Sequence, residues 1–179
     1  MQRRDGMLAF TADVLTCSRL LAAALLVWLG TRGATSLRTA VLVGVVAWTT
    51  DQLDGWAARR SATPTRLAPY DFVIDTTLYA ATLAYLTLAG FLPAAPVLAF
   101  GMLALAGWLI FRHKVVGVLF VRVVDLAALV VIFEHEPKIG GLLVVWLVIL
   151  AIGYRRRLLE RLPRWFSELA CLLGRHHGP

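Results

Sequence analysis

The chain has 179 residues, 59% of them hydrophobic and 16% charged, and 18 Lys+Arg against 11 Asp+Glu give a net charge of +7. A soluble domain carries about 25% charged residues, and the apolar content and two cysteines exclude disorder, a collagen-like repeat and a disulfide scaffold. One membrane-spanning helix takes about 20 apolar residues, so six spans with short loops and two tails fill the chain and leave no room for a soluble domain.

Hydropathy divides the chain into six apolar tracts, at about 14–30, 36–58, 68–90, 92–111, 115–133 and 139–154. The first tract is bordered by Asp13, contains Arg19, and lacks a small-residue cleavage site, so it is expected to be a span and not a secretory signal. The second ends in Asp51-Gln52-Leu53-Asp54-Gly55-Trp56-Ala57-Ala58-Arg59, and the third opens Ala68-Pro69-Tyr70-Asp71 and continues to Asp75. Pro69 suits a first helical position, which predicts Ala68 as the cap. The fourth tract is uncharged, the fifth contains Arg122 and Asp125 at i and i+3, and the sixth is again uncharged. After it, Leu158, Leu162, Trp165, Phe166, Leu169, Leu172 and Leu173 recur at helical spacing among arginines, which predicts an amphipathic helix in the headgroup layer, kinked near Pro163. The expected fold class is all-α: a polytopic, six-transmembrane-helix bundle over 1–155, followed by a basic interfacial tail over 156–179.

Basic residues orient this arrangement. The N-terminal tail, the segment 59–66, the turn 112–114 and the C-terminal tail together carry thirteen of the 18 Lys/Arg, whereas Arg32, Arg38 and Lys138 lie on the other side. The positive-inside rule then places both termini in the cytoplasm, in a multi-pass protein of the cytoplasmic membrane. The positive balance is topological and lipid-facing. Nucleic acid is not an expected partner, because aromatics interleaved with Lys/Arg are missing. His113, His135, His176 and His177 lack zinc-ligand spacing with one another or with a cysteine.

The chemistry sits in the aspartates. At 100° per residue, Asp51, Asp54, Gly55 and Ala58 fall on one stripe of their helix, and Asp71 and Asp75, at i and i+4, share a face of the next. A short hairpin makes the two helices antiparallel neighbours, so both stripes can line one cleft. Four aspartates would cost ~10–14 kcal/mol at the bilayer centre on insertion scales, and less near the interface. Two Mg²⁺ ions neutralise them, and a two-metal site clamps the attacking and leaving oxygens of a phosphoryl transfer. Gly55 and Ala58 let a ligand approach the helix closely, and Arg59 can pair with phosphate.

These residues carry a resemblance. Asp51-x2-Asp54-Gly55-x2-Ala58-Arg59, followed by Asp71-x3-Asp75, resembles the signature of the CDP-alcohol phosphatidyltransferases, D-x2-D-G-x2-A-R-x8-G-x3-D-x3-D. The pattern is similar to that of the class I members that make phosphatidylglycerophosphate or phosphatidylinositol phosphate in bacteria. The first half matches at every defined position; in the second, Ala68 stands for the glycine and Asp71 follows one residue early. Leu15-Thr16-x2-Arg19 is similar to the family's start of helix one. The resemblance implies transfer of a phosphatidyl group from a CDP-alcohol, typically CDP-diacylglycerol, to a small alcohol with release of CMP. By residue, it implies that Asp51, Asp54, Asp71 and Asp75 hold two Mg²⁺ or Mn²⁺ ions and that Asp75 is the catalytic base. It also implies that Gly55, Ala58 and Arg59 bind the nucleotide, and that the protein is a homodimer among membrane lipids.

Arg112, Lys114 and Arg122 are the expected binding residues for a phosphate on the acceptor; a positive-inside flank and an ion pair of Arg122 with Asp125 are the structural alternatives. Two other functions use an acidic membrane cleft: Mg²⁺-dependent prenyl transfer, and cation binding by a transporter or scaffold without chemistry. Release of CMP separates the first reading from both.

Overall fold

The computed structural model describes residues 2–60, 67, 70–111 and 114–153, some of them, including 54–60, by backbone alone. The described residues are all-α: α1 Gln2–Gly30, α2 Leu37–Arg60, α3 Asp71–Leu88, α4 Ala94–Phe111, α5 Lys114–His135 and α6 Pro137–Gly153, with a 3-10 turn, Ala34–Ser36, before α2. The expected amphipathic tail lies outside the described residues. Five helices begin and end within three residues of the hydropathy tracts. The sixth, α1, starts twelve residues before its tract, because a hydropathy window detects apolarity and a polar first turn can be just as helical. The expected cap at Ala68 is also corrected: α3 begins at Asp71 with Tyr70 at its N-cap.

Two helical segments, Asp13–Gly30 and Val116–His135, are long and apolar enough to cross a membrane, while Ala94–Ile110 and Pro137–Leu150 are apolar but shorter. The aspartates in α2 and α3 lower the apolarity of those two helices.

The chain divides into two compact units, Met1–Val131 and Ile132–Pro179, with the boundary in the last turns of α5. In the first, α1, α2 and α3 pack together. Thr16, Arg19, Ala23, Leu26, Leu29 and Gly30 form the buried stripe of α1 at three- and four-residue steps. Leu20, Leu21, Leu25 and Trp28 point away from it and are exposed. Ala40 and Ala47 of α2 and Ile74, Ala81 and Tyr85 of α3 face the same core. Small residues permit the close approach: a Cβ on Gly30 would sit 2.9 Å from Leu88 Cβ and 3.2 Å from Tyr85 Cα.

The end of this core farther from the aspartates is tied by hydrogen bonds. The buried Ser36 hydroxyl lies 2.9 Å from the Leu29 carbonyl, 2.7 Å from that of Gly33 and 3.4 Å from the Tyr85 hydroxyl. Helix α3 stops in a Schellman turn: Gly90 takes φ +85°, its N–H donates to Thr87 O, and Phe91 N–H donates to Leu86 O. Side-chain contacts bring α4 and α5 to this core. Phe72 stacks on Trp108 at 6.4 Å, a Cβ on Gly117 would be 3.0 Å from the Phe72 ring, and Phe100 stacks on Phe120 at 5.5 Å.

In the second unit, Glu136 N–H donates to Ile132 O, and Gly140 presents its bare Cα face to the Phe133 ring, where a Cβ would be 3.1 Å away.

Candidate functional site

The buried stripes of α1, α2 and α3 each continue into charge at one end. On α1 the residue four before Ala23 is Arg19; on α2 the residue four after Ala47 is Asp51; on α3 Asp71 lies three residues before the buried Ile74, and Asp75 follows Asp71 by four. Helix packing therefore brings these four together. The Arg19 guanidinium donates through Nη1 to Asp51 Oδ1 at 2.9 Å and to Asp75 Oδ1, and through Nη2 to Asp71 Oδ1 at 2.7 Å and Thr16 Oγ1 at 3.2 Å. The two terminal nitrogens offer four N–H donors, and those four acceptors receive them.

Burial divides the cluster. The Arg19 side chain is 0% exposed, whereas those of Asp51, Asp71 and Asp75 are 34%, 49% and 38% exposed. The guanidinium seals the floor and the carboxylates keep an open edge. Among the described residues, one guanidinium meets three carboxylates at the ends of apolar helices. Asp71 also sits in the first turn of α3, where the helix dipole favours an anion.

Asp54, Gly55, Ala58 and Arg59 belong to the last turns of α2, and their side chains lie outside the described residues. Arg112 lies outside them as well, and Lys114 opens α5 with its side chain not described. Arg122 is described. It donates through Nη1 to Asp125 Oδ2 at 3.1 Å on its own helix and is 67% exposed, so the ion pair read from the sequence is formed. Tyr79, one turn beyond Asp75 on the same face of α3, is half-buried.

Two residues of this region escaped the sequence reading in their roles. Arg19 is the centre of the cluster, and charge balance could have found it, since an arginine in an apolar tract must pair and surplus carboxylates lie only at the start of α3 and the end of α2. Asp13 accepts the Leu67 backbone N–H at 3.1 Å and so ties Leu67 to α1. Nothing local in the sequence signals that bond.

The donor set suits divalent cations by its chemistry. Carboxylate oxygens are hard ligands, the carboxylates are partly exposed, and among the described residues they outnumber the cation they meet. Among the described residues, no three such side chains are grouped as a ready metal site; Asp51, Asp71 and Asp75 converge on Arg19 instead.

With this geometry in view, the comparison with known families is direct: the CDP-alcohol phosphatidyltransferase model matches residues 9–174, and the chain belongs to that family. The family consists of membrane-integral, generally divalent-metal-dependent transferases that take a phosphatidyl group from a CDP-alcohol. No curated protein and no solved structure matches the chain.

Proposed function

We propose that the protein transfers the phosphatidyl group of CDP-diacylglycerol to a small alcohol at the cytoplasmic face of the membrane and releases CMP. The observation that carries this reading is the meeting of Asp51, Asp71 and Asp75, from two helices, at one partly open site in a chain of this family. Asp51, Asp54, Asp71 and Asp75 would hold two Mg²⁺ or Mn²⁺ ions. When bound, these ions neutralise the diphosphate and the departing CMP.

The chain's own residues do the rest. The acceptor hydroxyl oxygen forms a bond to the phosphorus that bears the diacylglycerol, and the bond from that phosphorus to the CMP oxygen breaks. CMP leaves with the electron pair. Asp75, in the second turn of α3, takes the hydroxyl proton. Gly55 and Ala58 make room for the nucleotide along α2, and Arg59 pairs with its phosphate. Arg112, Lys114 and Arg122 receive a phosphorylated acceptor.

In this reading all six helices span the cytoplasmic membrane with both termini inside, 156–179 lies in the headgroup layer, and two copies form a homodimer. Helices α3, α4 and α6, with 18, 18 and 17 residues, reach roughly 25–27 Å at 1.5 Å per residue, close to the hydrocarbon thickness. The family match sets prenyl transfer aside. The test is to incubate the purified protein with CDP-diacylglycerol, Mg²⁺ and, in turn, glycerol 3-phosphate, an inositol phosphate, serine or phosphatidylglycerol. CMP and one new phospholipid should form together. Absence of CMP with every acceptor would leave a cation-binding protein without chemistry.

A further inference from the structure

The cluster contains one group that the transfer chemistry does not use, and it is the most deeply buried charge described. Arg19 sits on the inner stripe of α1 between Thr16 and Ala23, so its head cannot reach water without turning the helix out of its packing against α2 and α3. A buried cation of this kind is tolerated only when paired and hydrogen-bonded. Here the pairing joins three helices: Asp51 from α2, and Asp71 and Asp75 from α3, all meet the guanidinium of α1. All three are proposed metal ligands. The cation that gathers them is thus part of the chain.

We propose that Arg19 is the resident counter-ion of this cleft, holding Asp51, Asp71 and Asp75 together while no divalent cation is bound and yielding them when cations enter. The inference rests on the metal-dependent reading of the site and adds to it a positioning residue and a rule for metal affinity. Without Arg19, three carboxylates would face one another with no described cation among them, and their repulsion would push α2 and α3 apart at this end. With Arg19, the metal-free protein stays assembled, and cation binding becomes an exchange in which the guanidinium competes for the same oxygens. The competition weakens metal binding and lowers the dependence of the fold on metal. The exposures agree with an exchange: the carboxylates are open on the side away from the guanidinium, so a cation can approach before Arg19 yields.

The experiment compares wild type, Arg19→Gln and Arg19→Lys in lipid nanodiscs, without nucleotide or acceptor. Thermal unfolding is followed in excess chelator and in saturating Mg²⁺, and Mn²⁺ uptake by the loss of the free-ion paramagnetic signal. A ligand of the folded state stabilises it by an amount that grows with the logarithm of its concentration relative to its dissociation constant, so removal of a competitor enlarges the effect. Arg19→Gln should melt lower than wild type in chelator and gain roughly twice the wild-type Tm increment on adding Mg²⁺. Its half-saturating Mn²⁺ concentration should fall about tenfold, since a neighbouring positive charge has been removed. Arg19→Lys, which keeps the charge, should stay close to wild type in both measurements. A role in packing alone would not separate Gln from Lys in this way.

Equal Mg²⁺ increments in wild type and Arg19→Gln overturn the proposal. If Arg19→Gln folds in neither condition, Arg19→Lys decides: a folded, metal-free Lys variant with a wild-type increment upholds the counter-ion, and a Lys variant that also fails with and without Mg²⁺ overturns it. Failure of the underlying reading looks different, because a wild-type protein that takes up no Mn²⁺ and shows no Mg²⁺ increment removes the metal-dependent transferase itself.

Discussion

Among the described residues, two arginine–aspartate groups occur within the apolar helices, and they are built on opposite plans. Arg19 is fully buried and meets three carboxylates from two other helices, which outnumber it. Arg122 is 67% exposed, meets Asp125 of its own helix at i+3 and leaves no surplus. A local pair with balanced charge needs nothing else, and exposed pairs contribute little to stability. A long-range cluster in which carboxylates outnumber the described cation is where the proposed divalent cations would bind. The difference between the groups is one of stoichiometry and origin, because the residue types are the same.

The largest effect should come from loading or stripping the Arg19 cluster. Excess chelator should abolish CMP release, and Mg²⁺ or Mn²⁺ should restore it, while the α5 pair is indifferent to both. Full activity in chelator would make the two groups alike and remove the contrast. Next in size is Asp75→Asn. Loss of a general base typically costs about 10²–10⁴ in rate, and the loss should appear in kcat with the KM for CDP-diacylglycerol nearly unchanged. The same change at Asp125 should leave kcat within a few-fold, and equal losses at the two positions would show that the surplus-charge distinction has no catalytic meaning.

Arg122→Ala sharpens the other side. A lost charge-assisted contact costs about 1.5–3 kcal/mol, or roughly tenfold to a hundredfold in affinity. The KM for a phosphorylated acceptor should rise by that factor while the KM for the CDP-lipid stays put. An unchanged acceptor KM in a folded Arg122→Ala protein reduces the α5 pair to a structural bond.

The smallest effects concern the frames that hold each group. Gly30→Ala places a Cβ 2.9 Å from Leu88 Cβ at the α1–α3 crossing, and overpacking of this kind costs about 1–3 kcal/mol. Gly101→Ala in α4 meets nothing within 4 Å and should be neutral or gain up to about 1 kcal/mol. Thermal unfolding of the two variants measures the contrast, and equal Tm values would mean that α1 and α3 do not need their close approach.

Much of this was legible in the residues themselves. Helices α2 to α6 follow their apolar tracts because burying an apolar backbone demands internal hydrogen bonds, and a helix satisfies them locally. The aspartate pattern was legible for a similar reason: residues at i, i+3 and i+4 must share a face once the segment is helical. The early start of α1 was hidden because its first turn is polar and Asp13 breaks the apolar run that follows, and the cap at Tyr70 because Pro69 made an earlier start equally acceptable to the local rules.

What composition and periodicity decide is therefore local or additive: an all-α chain, its membrane-like apolarity, the helix positions, and which carboxylates share a stripe. The partner of each charge depends on which stripes face each other, and that is set by the packing of α1 on α2 and α3 through Ala23, Ala47, Ala81 and Gly30. Residues 19, 51, 71 and 75 are separated by 32 to 56 positions where they bond to Arg19. No short-range periodicity reaches that far. Only the assembled helices make Arg19 the cation at the floor of the acidic cleft, because a buried charge must find its counter-charges wherever the close-packed core puts them.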